Sequence, residues 1–286
     1  MQHTIFPLLT APRARGINEN KTGTKVMSVG KPATLSRLRR AVAEIEGSDL
    51  SVLEMGGRVL PLGAEPIDAA LGGGLAFGSL HELAPAAPLH LGAAAGFALT
   101  IAAGAGERRH HLWIQPDFAG QEAGNLYGPG LTALGLPMER LLLLRVARSA
   151  DVLWAMEEAL KSSVLATVIA ELTDDGAAAD LTATRRLALA ARDGGGLGFL
   201  LRHRISPEPS AAATRWDIAA APSIADALGG LGRTAFTLSL VKNRRGPLGR
   251  WTIAWDYHER AFSPLSLGLA ETASDRPARA PLVRAG

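Results

Sequence analysis

Between residues 58 and 171, short unbroken apolar runs alternate with longer stretches of helical texture. The runs LLLLRV and VLATVIAEL are apolar at successive positions, as strands covered on both faces require. They predict strands over 79–84, 111–115, 141–146 and 166–172, with helices over 93–105, 122–134 and 149–162 between them. Such alternation builds a mainly parallel sheet with right-handed crossovers. A helix over 182–192 is stopped by Gly194-Gly195-Gly196, and a strand follows over 198–203. After Ser206 the texture changes. Pro207, Pro209 and an Ala-rich turn lead to strands over 214–219, 234–242 and 250–256. The last two flank a turn-rich loop, 243–249, and read as an antiparallel hairpin finishing the sheet. No internal repeat is present.

The ends of the chain read differently. In 35–47, LSRLRRAVAEIEG, the residues Leu35, Leu38, Val42 and Ile45 share one helix stripe. Thr34 or Ser36 can cap this helix and Gly47 can end it. A helix so short is marginal alone and must dock, either on its own domain or on a partner. The expected division is a flexible basic leader (1–33), an N-terminal amphipathic helix (34–48), a core domain (49–257) and a flexible tail rich in Pro, Ala, Ser and Arg (258–286). Met27 opens a second plausible start, MSVGKPATLSRLRR.

Charge and composition sharpen this division. Residues 1–40 hold eight basic residues against Glu19, a surplus of +7, which leaves −4 for the remainder of a chain of net charge +3. The high isoelectric point therefore describes the front end and not the folded body. That front end reads as a solvated leader, with nucleic-acid contact as its sharper alternative. With no cysteine among 286 residues, disulfides, thiolate zinc sites and Cys nucleophiles are excluded, and a cytoplasmic setting is expected. No apolar run reaches the ~20 residues of a membrane span; the longest candidate, 89–105, is an Ala/Gly stretch.

Metal and nucleophile chemistry find little support. His110 and His111 are adjacent on a strand and face opposite ways, and His81, His90, His203 and His258 match no ligand spacing. There is no G-x-S-x-G motif. Glu157 and Glu158 read as a solvated helix face, Asp174 and Asp175 as a loop. No catalytic residue, metal ligand or cofactor is assigned. Trp113, Trp154, Trp251 and Trp255 are expected to pack in the core or an interface.

The informative segment is 62–83, LGAEPIDAALGGGLAFGSLHEL. A short helix closes on Gly72-Gly73-Gly74-Leu75, then Gly78 precedes a strand ending in Glu82-Leu83. This resembles the lead-in to the phosphate-binding loop of RecA-type ATPase cores. A working loop reads G-x-x-x-x-G-K-[ST]: glycine amides cradle phosphate, Lys neutralises it and the hydroxyl holds Mg²⁺. Here Ala84 stands for the first glycine, Leu89 for the second, His90 for the Lys and Leu91 for the Ser/Thr. Pro88 removes a further amide donor. The strand over 166–172 ends in Glu171 where an Asp is expected, and without the loop Glu171 reads as a hydrogen-bonded residue at a strand end.

A RecA-like core with this loop lost, a triple-glycine lead-in and the closing segment LSLVKNRRGPLGRWTIAWD resembles the ImuA family over about residues 35–256. The resemblance implies an α/β fold with a RecA-like core: a mainly parallel sheet flanked by helices, a closing antiparallel hairpin and a short N-terminal helix. It implies a non-catalytic accessory protein of damage-induced mutagenesis under the SOS response, promoting error-prone translesion synthesis. The implied partners are an ImuB-like polymerase homologue, RecA and an error-prone C-family DNA polymerase, with DNA as a further candidate. Two surfaces are expected to carry contacts. One is the Leu35/Leu38/Val42/Ile45 stripe; the other is the basic hairpin with Lys242, Arg244, Arg245 and Arg250, whose cations would gain from counterion release on DNA. The alternative for the hairpin is a basic tip that keeps a sheet edge soluble. Alternatives for the whole chain are a weakly active RecA-like ATPase and a SulA-type cell-division inhibitor; the chain's length and basic hairpin argue against the second.

Overall fold

The computed structural model describes residues 25–28, 58–106, 109–122, 124–173, 179–223, 230 and 232–265. The expected helix with Leu35, Leu38, Val42 and Ile45 lies outside these residues, as do Asp174 and Asp175.

The central strand is β4 (Ser79–Pro85), buried from its second residue to its last. Parallel to it and its neighbours run β5 (His110–Pro116), β6 (Leu141–Val146), β7 (Leu165–Leu172) and β8 (Leu197–Arg202). β9 (Thr214–Ala221) joins β4 in parallel, and then β10 (Ala235–Asn243), β11 (Gly249–Asp256) and β12 (Ala261–Pro264) continue antiparallel. β1 (Lys25–Ser28) pairs in parallel with β6 at the opposite edge. The ten-stranded order is β1-β6-β5-β7-β8-β4-β9-β10-β11-β12. A small pair, β2 (Val59–Leu60) and β3 (Leu75–Ala76), stands beside it.

Helices cover both faces of the parallel half. On one face α1 (Glu65–Leu71) and α2 (Leu91–Gly104) join the core of Phe97, Trp113, Phe199, Trp216 and Trp255. On the other, α5 (Ser149–Leu160) and α6 (Leu181–Gly194) close over Leu112, Leu144, Val168 and Leu200. All eight residues of β7 are buried, the outcome its unbroken apolar run requires. Asp180 caps α6 by accepting from the Ala183 N–H at 2.7 Å.

The α/β architecture, mainly parallel sheet and closing hairpin are those expected; three local expectations are corrected. The single helix over 122–134 is two, α3 (Asp117–Glu122) and α4 (Gly128–Ala133), because the sequence between and within them carries Gly124, Gly128, Pro129 and Gly130. The expected tail does not begin at 258: β12 pairs with β11, and Phe262 lies in the aromatic core, 4.8 Å from Trp255 between ring centroids. Within the expected leader, Lys25–Ser28 form an edge strand. Among the described residues no helix is long and apolar enough to cross a membrane.

Candidate functional site

The glycine turn after α1 aims the chain into β4. Gly72 ends α1 in the left-handed region at φ 70°. Gly74, at φ 138°, passes so close to β2 that a Cβ there would sit 2.2 Å from the Leu60 carbonyl oxygen. Only glycine fits both the backbone angle and the space. β4 then carries Ala84 and Pro85 at its end.

The segment that follows commits several of its backbone groups to the fold. Pro85 and Pro88 have no N–H. The Ala86 N–H donates to the Ile218 carbonyl at 2.8 Å, tying the loop to β9. Pro88–His90 form a 3₁₀ turn in which the His90 N–H donates to Ala87 O at 2.8 Å and the Leu91 N–H donates to Pro88 O. Leu89 is 80% exposed, and the His90 ring turns sideways so that Nδ1 accepts from the Ala220 N–H at 3.3 Å. Ala84 ends β4 and Leu89, His90 and Leu91 lie in or next to this turn, where the N–H groups of Ala86, His90 and Leu91 donate to backbone carbonyls.

The acid at the end of β7 is likewise engaged. Glu171 Oε1 accepts from the Trp113 indole N–H at 2.5 Å and from Gln115 Nε2 at 2.9 Å, while His203 Nε2 lies 3.3 Å from Oε2. Glu171 is buried and serves as the acceptor hub of three strands, β5, β7 and β8's exit, as its strand-end reading anticipated.

Histidines outside this hub are structural. His81 Nε2 donates to Ala76 O at 3.1 Å, which leaves Nδ1 to accept from Thr214 Oγ1 at 2.8 Å; Trp216 Nε1 donates to the same hydroxyl. Burial lowers the His81 pKa to about 4. His111, sealed behind β5 and facing Thr167 Oγ1 at 2.9 Å, is likewise lowered to about 4 by burial first and by His110 second. No group of His, Cys, Asp and Glu fit to hold a metal ion occurs among the described residues.

The basic hairpin is anchored to the end of α1. Asn243 Nδ2 donates to Ala70 O at 2.8 Å, at the end of α1, and to Pro247 O at 3.1 Å. Gly246 lies so close that a Cβ would come within 2.3 Å of Ala70 O. Arg245 Nη2 donates to Gly72 O at 3.4 Å, a cation on the carbonyl end of α1. Lys242 turns inward and donates to Ser210 O at 2.5 Å; burial first, and Arg244 second, lower its pKa. Arg244 and Arg250 are exposed and form no ion pair among the described residues. Lys242 is therefore tied into the fold, Arg245 touches the end of α1 while still exposed, and Arg244 and Arg250 face solvent.

One cluster went unnoticed in the sequence because its members are far apart. Glu82, 3% exposed on β4, accepts from Arg202 Nη2 at 3.1 Å and from Ser210 Oγ at 2.6 Å, and pairs with Arg215 Nε at 2.7 Å. Arg215 also donates to Ser206 O at 2.6 Å and Glu208 O at 3.0 Å, pinning the loop between β8 and β9. The available signal was a Glu inside SLHELAP and an Arg closing LGFLLR, charges in otherwise apolar strands.

No family model matches the chain. It is 34% identical over 212 residues to Protein ImuA of Caulobacter vibrioides strain NA1000 / CB15N, spanning 68% of this chain and 82% of that protein. Protein ImuA of strain ATCC 19089 / CIP 103742 / CB 15 gives the same values. Among solved structures it is similar to the RadB recombinase, with a TM-score of 0.48 and 17% identity over 73% of this chain and 100% of that one.

Proposed function

The chain belongs to the ImuA family, and on that premise we propose that it acts by binding rather than turnover, as an adaptor of the damage-induced mutagenesis machinery that promotes error-prone translesion synthesis. The observation that carries the non-catalytic part is the turn over 85–91. Two prolines, three backbone-committed amides and a His90 ring bonded to Ala220 N–H stand where phosphate, lysine and Mg²⁺ ligand would be required. Glu171, held by Trp113 and Gln115, serves the sheet in the position of a hydrolytic acid.

An adaptor needs surfaces in place of a reaction centre. The proposed partners are an ImuB-like polymerase homologue, RecA and an error-prone C-family DNA polymerase, with DNA as a further contact. The exposed Arg244 and Arg250 are the hairpin cations free to meet a partner. The stripe Leu35, Leu38, Val42 and Ile45 is the second proposed contact, because an amphipathic helix of this length needs a surface to dock on. Titration of the purified full chain with Mg-ATP by calorimetry tests the non-catalytic part: no heat of binding up to millimolar nucleotide is expected, and saturable binding overturns it.

A further inference from the structure

The Glu82 cluster lines a cleft of about 50 Å³ beside the loop between β8 and β9. Room of that size takes a few water-sized groups, enough for the head of a carboxylate. Its lining includes Arg202, 2% exposed, whose Nη2 is used by Glu82 and Ala179 O while Nε and Nη1 have no hydrogen-bond partner among the described residues; Glu82 Oε2 has its ion pair with Arg215 alone. Buried donors left without acceptors are costly, and a guanidinium fork suits a carboxylate. In the lining itself Arg202 and Arg215 balance Glu82 and Asp217, so any surplus of positive charge comes from the rim.

The rim has a second character. Ile205 and Val241, both lining the cleft, are 51% and 47% exposed. Around them stand exposed cations without ion pairs: Arg204 next to Ile205, and Arg250, which lies opposite Ser239 and diagonal to Val241 on the same face of the sheet. Aliphatic side chains framed by cations complement an acidic, aliphatic protein segment. A nucleic-acid strand fits less well, since the rim offers no exposed aromatic platform for bases.

We infer that this cleft is a docking site for an extended segment of a partner protein that presents an Asp or Glu side chain next to an aliphatic one. The carboxylate enters toward Arg202 and Arg215, and the aliphatic group packs between Ile205 and Val241. The identity of the partner in the test rests on the adaptor reading above; the chemistry of the segment does not.

The absence of cysteine makes a clean reporter available. In the full chain, Ser239→Cys, on β10 two residues from Val241, takes one environment-sensitive dye. The labelled chain is titrated with the purified ImuB-like partner and, in parallel, with a thymidine oligonucleotide, while complex formation is followed independently by size exclusion. The site predicts a dye shift with the protein partner, competition by a blocked Leu-Asp-Leu peptide but not by Leu-Asn-Leu, and at least ten-fold weaker binding for Val241→Glu. Ile205→Ala, which leaves the strand untouched, weakens binding in the same direction. A complex that forms with a silent dye and unaltered affinity for both variants overturns the cleft and leaves the adaptor reading standing. A shift with the oligonucleotide alone overturns it in favour of a nucleic-acid surface. No complex with the partner at all overturns both.

Discussion

The indole N–H of Trp113 on β5 donates to Glu171 Oε1 on β7 at 2.5 Å, inside the sheet core. That bond converts the acid at the end of β7 from a free base into a structural acceptor. Replacing Trp113 by Phe keeps an aromatic side chain but removes the donor and part of the buried indole volume, leaving a buried carboxylate with one partner fewer. A loss of about 1–3 kcal/mol of stability is expected. Chemical unfolding of W113F checks it; an unchanged midpoint would show that the bond contributes nothing.

Nucleotide binding is not recoverable by restoring the two most obvious residues. His90→Lys with Leu91→Thr returns the charge and the hydroxyl but not the amides, because Pro85, Pro88 and the Ala86–Ile218 bond remain. The double variant is expected to bind no Mg-ATP at millimolar concentration in equilibrium dialysis. Binding there would mean the backbone turn opens readily.

The hairpin cations are expected to separate by experiment. Lys242→Ala removes a charge-assisted bond to Ser210 O, of the class that contributes about 1.5–3 kcal/mol, less the share screened by solvent at this half-buried site. At roughly 2–4 °C per kcal/mol for a domain of this size, Tm should fall by several degrees. Arg244→Ala with Arg250→Ala should leave Tm unchanged while weakening partner or DNA binding. Equal thermal effects would contradict the division.

Stability should decline on acidification. His81 and His111 have folded pKa values of about 4 against an ordinary 6.5, so the unfolded chain takes up protons first as the pH falls. Their contribution is complete above about pH 6.5 and is lost progressively toward pH 4. Urea midpoints measured at pH 7.5, 6 and 5 should decrease in that order; equal midpoints would contradict the neutral, buried imidazoles.

Gly74 is the least replaceable residue of the glycine turn. Gly74→Ala must take φ 138° and place Cβ against Leu60 O, so a loss of at least ~3 kcal/mol or failure to accumulate folded protein is expected. Gly73→Ala carries the backbone strain of φ 106° but would meet only Val59 Cγ2 at 3.4 Å, so a smaller loss is expected.

Much of this molecule is legible in its sequence, for a physical reason. β6 and β7 are buried on both faces, so their unbroken apolar runs mark them, and the crossover helices follow from the alternation. β12 and the pairing of β1 are short, and four residues carry no periodicity to read. The segment with Ala84, Leu89, His90 and Leu91 can be compared with a motif in the sequence because its positions are close together. Glu82, Arg202 and Arg215 cannot be, since 120 and 133 positions separate partners that the sheet brings within hydrogen-bonding distance. Nor could spacing reveal that Lys242 turns inward to Ser210 while Arg244 faces solvent.

The most direct test of the account is the ultraviolet-induced mutation frequency of a strain lacking this gene, with cell length scored in the same culture and complementation by the wild-type chain. The account predicts a fall to the uninduced level, restored by wild type and equally by His90→Ala. An unchanged mutation frequency accompanied by altered filamentation would contradict it and point to cell division instead.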